Sequence, residues 1–239
     1  MKKRTLIIAT TAMLVLASAF VFLNANENTE YDWIAEETAI VRSDLLTNQE
    51  IIATVNGVGL PERELSRVVF NIEVLYKVEL QKYRKLLAAG QITQADYQQK
   101  VDALTKQKNE TDVKEKMLAE MIEDEIFYQA AVEQGFSASE ADVQAYYENV
   151  SSKLPSEQVE ILTQYAKGLG LTFEEYAQEN ILPHYQVKLT IGKMFSGLLE
   201  ELKVKYPNEA VDNLYLQNSS EYKELVNQLK GKAVVMRND

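Results

Sequence analysis

The sequence predicts a mainly α-helical, elongated multi-helix protein with a small β component, preceded by an N-terminal transmembrane helix. Three observations predict it. Apolar residues recur at spacings of three and four through most of the region between residues 62 and 230, the period of a helix face. Runs of strand formers stand at the two ends of that region, in Glu50–Val58 and Ala233–Met236. An uncharged, mostly apolar run, Thr5–Leu23, directly follows Lys2, Lys3 and Arg4.

Thr5–Leu23 is long enough for a bilayer core, for which about 20 residues suffice, and exceeds the roughly 7–15 residues of a secretory h-region. The spacing favours an uncleaved anchor over a cleaved signal, although Leu23-Asn24-Ala25 is a passable cleavage site. Positive charge before the run holds that end in the cytoplasm and sends the body outside. The chain carries −11, and taking away the three N-terminal positives leaves −14 on the rest. Such a balance disfavours nucleic acid and anionic membrane surfaces as partners of the body. There is no cysteine, hence no disulfide, thiol chemistry or lipoprotein anchor.

Residues 24–49 are polar without sustained periodicity and read as a linker, with a short helix around Trp33–Ala39. Trp33, the single tryptophan, suits either a membrane interface or packing on the body. Ile51, Ile52, Thr54 and Val55 have strand chemistry, Asn56-Gly57 is a turn signal, and Pro61 suits the first turn of a helix. Leu65, Val69, Ile72, Tyr76, Leu80, Tyr83 and Leu87 then form a seam for a partner helix. Ala89-Gly90-Gln91-Ile92 breaks it, and Thr93-x-x-Asp96 caps a second helix to about Lys108. The hairpin 62–108 is expected to project as an arm, because its second half is polar, and offers a surface for oligomerisation.

The organising stretch is Val113–Tyr147. Val113, Met117, Leu118, Met121, Ile122, Ile126, Ala130 and Val132 put an apolar stripe on one long helix. Gly135 supplies a left-handed stop, Phe136 an apolar lock after it, and Ser137-x-x-Glu140 and Ser139-x-x-Asp142 overlapping cap signals for the next helix. The order Leu118, Ile122, Glu125, Ala131, Gly135, Phe136, Ser137, Ser139, Asp142, Val143 resembles the N-terminal chaperone domain of SurA, shared with PrsA-type foldases and the C-terminal domain of trigger factor. The strand, Val55-Asn56-Gly57 and long helix upstream are similar to the opening of those domains. The resemblance covers roughly Ile51–Lys205.

Further on, Pro155 opens a helix carrying Val159, Ile161, Leu162 and Tyr165, which stops at Gly168–Gly170. Thr172-x-x-Glu175 is a capping box, and Pro183 starts the last long helix, about His184–Lys205. Pro207–Gln217 reads as a loop. Asn218-x-x-Glu221 caps a final helix ended by Gly231, and Ala233–Met236 reads as a strand. The resemblance implies a chaperone body spanning 50–239, with arm 62–108, core 111–205 and a C-terminal helix and strand in 218–236. It also implies that the last strand pairs with Ile51–Val55 in a two-stranded N/C-terminal sheet. In SurA and PrsA-type proteins a parvulin isomerase domain lies between the core and that final helix. Here the gap holds only the short loop.

Catalytic constellations are lacking. His184 is the single histidine and has no evident nucleophile nearby, so it reads as a surface or packing residue. Glu120, Glu123, Asp124 and Glu125 point around a helix and read as a solvated face, and no metal or cofactor is expected. The resemblance implies a concavity surrounded by segments bearing Tyr146, Tyr147, Phe173, Tyr176, Tyr185, Met194 and Phe195. Tyrosine and methionine suit adaptable contact with clients, and core packing is the alternative for each. The expected function is that of a membrane-anchored extracytoplasmic holdase for unfolded exported proteins. A peptidyl-prolyl isomerase relative with residual or lost activity, and an adaptor for one envelope partner, are the alternatives.

Overall fold

The computed structural model describes residues 30–109 and 113–238. The expected membrane segment Thr5–Leu23 lies outside them, and no described helix is long and apolar enough to cross a membrane. The protein is mainly helical with one small antiparallel sheet.

The sheet is built first by β1 (Ile51–Val55) and β2 (Val58–Pro61). Asn56 and Gly57 both take positive φ, 50° and 87°, the geometry of a tight hairpin turn that Asn-Gly supplies with least strain. β2 was not anticipated: Asn56-Gly57 read as a turn, but the chain after it contains only Val58 and Leu60 as strand formers. Gly59 lies close against the Ile51 side chain, where a Cβ would sit 2.9 Å from Ile51 Cδ1.

β3 (Val235–Arg237) pairs antiparallel with the other side of β1, Thr54 opposite Met236 and Val55 opposite Val235. The two ends of the body therefore meet as expected, but in a three-stranded sheet of order β2-β1-β3, not a two-stranded one. Asn56 ties the junction together. Its N–H donates to Val234 O at 2.8 Å, and its Oδ1 accepts from Val234 N–H at 2.8 Å. Its Nδ2 donates to Gln129 Oε1 at 2.8 Å, and Gln129 Nε2 donates to Val55 O at 3.1 Å.

One core lies under this sheet. Ala53, Val55 and Leu60 face α5 (Val113–Glu133), whose Leu118, Ile122 and Phe127 meet α9 (Leu182–Lys205). Phe127 and Phe195 stand edge to face, centroids 5.5 Å apart. Gly135 stops α5 at φ 82°, and Phe136, just past it, rests on Gly197 of α9. Ser139 with Asp142 forms the capping box of α6 (Glu140–Ser151), so the second of the two overlapping signals is used.

A second core joins elements that the sequence left unassigned or soft. Within the stretch read as a linker, α1 (Asp32–Ile40) and α2 (Arg42–Leu46) bury Ile34, Thr38 and Leu45. These pack with Val74 and Val78 of α3 (Glu62–Ala88) and with α7 (Ser156–Leu169). Residues 32–46 are thus part of the body. The expected short helix around Trp33–Ala39 is α1, and what the sequence did not show is its burial, which α1 achieves against α7 through small groups: at Gly168 a Cβ would lie 2.4 Å from Thr38 Cβ and 2.6 Å from Ala35 O. Trp33 packs on this core, with Lys77 Nζ 5.8 Å from its ring centroid.

Helix α3 carries two apolar faces. Val74 and Val78 face the second core, whereas the predicted seam divides: Leu65, Val69 and Ile72 pack on the first core, and beyond them Tyr76 shares a 3.1 Å hydrogen bond with Thr105 of α4 (Gln94–Asn109) and Lys100 lies over Tyr83. The Thr93–Asp96 box starts α4, and none of its described side chains is buried. Helix α8 (Phe173–Tyr176), begun by the Thr172–Glu175 box, runs through a π-helical turn, Ala177–Ile181, directly into α9. Pro183 lies one residue inside α9 and has no N–H, so the ladder widens just before it in place of a break.

Two corrections concern the C-terminal part. Residues read as a loop contain α10 (Asn213–Asn218), capped by Asp212 and burying Leu216. Ser219, not Asn218, caps α11 (Ser220–Lys232), which passes Gly231. Tyr222, Leu225, Val226 and Leu229 of α11 pack on the first core only half-buried, Tyr222 with its ring 5.1 Å from Phe195.

Deleting Asn218–Asp239 from the full chain should lower stability by several kcal/mol, since four apolar side chains each lose about half of the 1.5–3 kcal/mol of full burial. Chemical denaturation with and without the segment measures it, and an unchanged midpoint would show that α11 and β3 are dispensable. Asn56→Gly keeps the turn but loses the side-chain bonds to Val234 and Gln129, with an expected cost of about 1–3 kcal/mol. Asn56→Ala should cost more, because alanine resists positive φ. Equal costs for the two would remove the turn strain from this account.

Candidate functional site

The aromatic residues singled out by the sequence divide into two groups. Tyr176, Met194 and Phe195 are core, 2%, 2% and 1% exposed. Tyr176 stands edge to face with Tyr165 at 5.4 Å in the second core, and Met194 Sδ accepts from Gln134 Nε2 at 3.6 Å in the first. They have no surface to offer a client as the chain is folded. The helical period identified them as apolar but cannot say which of two neighbours a face meets.

Tyr146, Tyr147, Phe173 and Tyr185 remain half-buried. Tyr146 of α6 meets Tyr185 of α9 edge to face at 4.9 Å, while Tyr147, Phe173 and Tyr185 pack onto the rim of the second core. Burial first, then Tyr146 and Tyr147, push the Tyr185 hydroxyl up to about 12, so it stays a neutral donor. Burial also raises Tyr147, with Glu174 adding to it. The group offers amphipathic aromatic area without a charge.

The loop between α5 and α6 is stapled to α9 by a stripe at helical spacing. Gln186 Nε2 donates to Ala138 O at 2.6 Å, Thr190 Oγ1 accepts from Ala138 N–H at 3.1 Å, and Lys193 Nζ donates to Asp142 Oδ2 at 2.7 Å. This stripe holds α6, and with it Tyr146, against α9. Lys193 and the Ser139 donors hold the Asp142 carboxyl far below the usual carboxylate range.

Between the two cores runs a polar seam that sequence reading missed apart from His184. Arg67 of α3 donates through Nε to Leu45 O at 2.6 Å and through Nη1 to Asn180 Oδ1 at 2.6 Å, with Glu64 at 3.4 Å. Lys188 Nζ donates to Asp124 Oδ2 at 2.5 Å across α9 and α5. His184 lies between these groups, its pKa lowered by burial and then by Lys188, with Asp124 and Glu64 pulling the other way. An arginine amid apolar residues on α3 was the one available signal for the seam. Glu120, Glu123, Asp124 and Glu125 of α5 separate to different partners: Glu120 to Lys116, Glu123 to Lys230, Asp124 to Lys188 and Glu125 to Gln129. No group of three or more potential metal ligands occurs among the described residues.

The fold defines a mainly helical protein whose terminal strands close one sheet. No protein-family model, no curated protein and no solved structure matches the chain.

The lowered pKa of His184 gives a pH dependence with a definite sign. The unfolded chain takes up the proton first, so stability is full above about 6.5, the ordinary histidine value, and falls as pH drops below it. Unfolding midpoints measured between pH 7.5 and about 5.5 should decline for the native chain and flatten for His184→Gln. Parallel declines would assign the effect elsewhere.

Proposed function

We propose that this protein is a membrane-tethered extracytoplasmic holdase, similar to SurA N-terminal and PrsA-type chaperone bodies and without a parvulin domain. Thr5–Leu23 anchors it, with the basic residues Lys2, Lys3 and Arg4 on the cytoplasmic side. The observation that carries the reading is the return of the C-terminal strand to β1 around a helical body, with a short connection before α10 where parvulin-bearing relatives insert a domain. The Leu118-to-Val143 pattern, on which the resemblance rests, supports it as well: within it Gly135 ends α5, Phe136 packs on α9 and Ser139 caps α6. Its clients are unfolded or partly folded exported proteins, which meet the half-buried Tyr146, Tyr147, Phe173 and Tyr185. Aromatic rings give such contacts area with little sequence demand.

The full chain in nanodiscs should suppress light scattering when a model enzyme is diluted out of guanidinium chloride. It should leave the isomerisation rate of a proline tetrapeptide unchanged. Tyr146→Ser with Tyr147→Ser should weaken suppression at a temperature well below the variant's own unfolding midpoint, which the lost half-buried area lowers. Failure to suppress aggregation at any ratio would refute the holdase reading, and a reproducible catalytic rate would move the protein to the isomerases.

A further inference from the structure

The two edges of the sheet are finished differently. β2 ends in Pro61, which has no N–H to offer, and leads straight into α3. β3 is the other edge, and among the described residues no strand lies beyond it. Register decides which of its groups face outward. Asn56 N–H donates to Val234 O, and Asn238 N–H donates to Ile52 O. Alternation along an antiparallel ladder then gives the exchange with β1 to Met236, opposite Thr54. The N–H and C=O of Val235 and Arg237 consequently point away from the sheet. Around them Val234, Val235 and Met236 are 62%, 40% and 57% exposed, three apolar residues in a row. Natural edges are commonly guarded by charge or proline. Here the charge on the strand is Arg237, and it is ion-paired to Glu115 of α5.

We propose that the open edge of β3 binds one extended segment of an unfolded polypeptide as a fourth strand. This rests on the holdase reading and gives it a second contact, made by backbone where the tyrosines use side chains. Main-chain bonds to Val235 and Arg237 are indifferent to client sequence, and the exposed apolar side chains favour segments with alternating apolar residues. Area and charge choose this occupant over a second copy of the chain. A strand of three residues with two outward-facing ones provides far less than the roughly 1,000 Å² of a stable interface. A copy would also bring another strongly acidic body, the whole chain carrying −11. A single extended segment brings neither cost, and a segment bearing lysines would be attracted.

The test uses the full chain and a fluorescein-labelled peptide of alternating valine and threonine between lysine pairs. Its twin carries an N-methyl group on every valine and threonine, which removes the donors of both hydrogen-bonding edges. Val235→Pro removes an outward N–H and spares the ladder to β1. Binding by anisotropy should weaken about tenfold for Val235→Pro, and similarly for the twin on the native chain, as expected for one or two lost hydrogen bonds. The Val235 and Arg237 amide resonances should shift with the parent peptide. Equal affinity of native chain and variant, or of parent and twin, overturns the proposal. So does a native dimer that Val235→Pro converts to monomer, which would give the edge to a second copy. The twin keeps the test valid if the variant folds poorly. Native suppression of aggregation without peptide binding at β3 sinks the edge alone, whereas no suppression at all sinks the holdase reading together with it.

Discussion

The fold depends on a hydrogen-bonded knot at Asn56. Val234 is 178 residues away in sequence, and its backbone meets the backbone and side chain of Asn56. Bringing such distant segments together carries a loop-closure cost, which grows only slowly with length but must be met before any contact forms. The knot also reaches α5 through Gln129, so turn, terminal strand and central helix share one set of donors and acceptors. Asparagine suits the position twice over: it tolerates positive φ, and its amide offers both a donor and an acceptor. The β3 edge is a consequence of the same junction, since the strand that closes the body also ends the sheet.

Two helical runs, α3 and the π turn with α9, bridge the two cores. Each contributes to both: α3 places Leu65 in one and Val74 in the other, and the helical run through the π turn and α9 places Ile181 in one and Ile191 in the other. Where they pass between the cores, the side chains are Arg67, Asn180, His184 and Lys188. Each charge in this seam has a polar neighbour: a buried arginine without acceptors would cost far more than the seam gains. The half-buried tyrosines lie along the rim of the second core, held there by the Gln186, Thr190 and Lys193 stripe. Packing along α9 therefore sets both the seam and the aromatic surface.

Most helices and several of their caps and stops were legible in the chain, whereas α10, the Ser219 cap and the end of α11 were not. Gly135, Ser139-x-x-Asp142, Thr93-x-x-Asp96 and Thr172-x-x-Glu175 act where their local chemistry says, because capping and positive φ are decided within four residues. The seam Leu65–Tyr83 and the strand pair at the two ends were legible for a related reason: each leaves an unmet apolar face or an unpaired backbone that some partner must meet. The candidate aromatic site was legible only as a set of residue types. Periodicity marked Tyr176, Met194 and Phe195 as apolar in the same way as Tyr146 and Tyr185, and a helix period does not distinguish a covered face from a half-covered one.

What the sequence alone determined is local: the long helices and several of their caps and stops, the Asn56-Gly57 turn and the acidic, cysteine-free character of the body. Tertiary structure decided the rest. Residues 32–46 became part of the body because Gly168 lets α1 approach α7 closely, a fit invisible from either segment by itself. β2 formed because β1 was there to pair with, and α10 because Leu216 had a core to enter. The physical reason is common to all three: their stability comes from surfaces on distant segments, and a short stretch of chain carries no record of what will be packed against it.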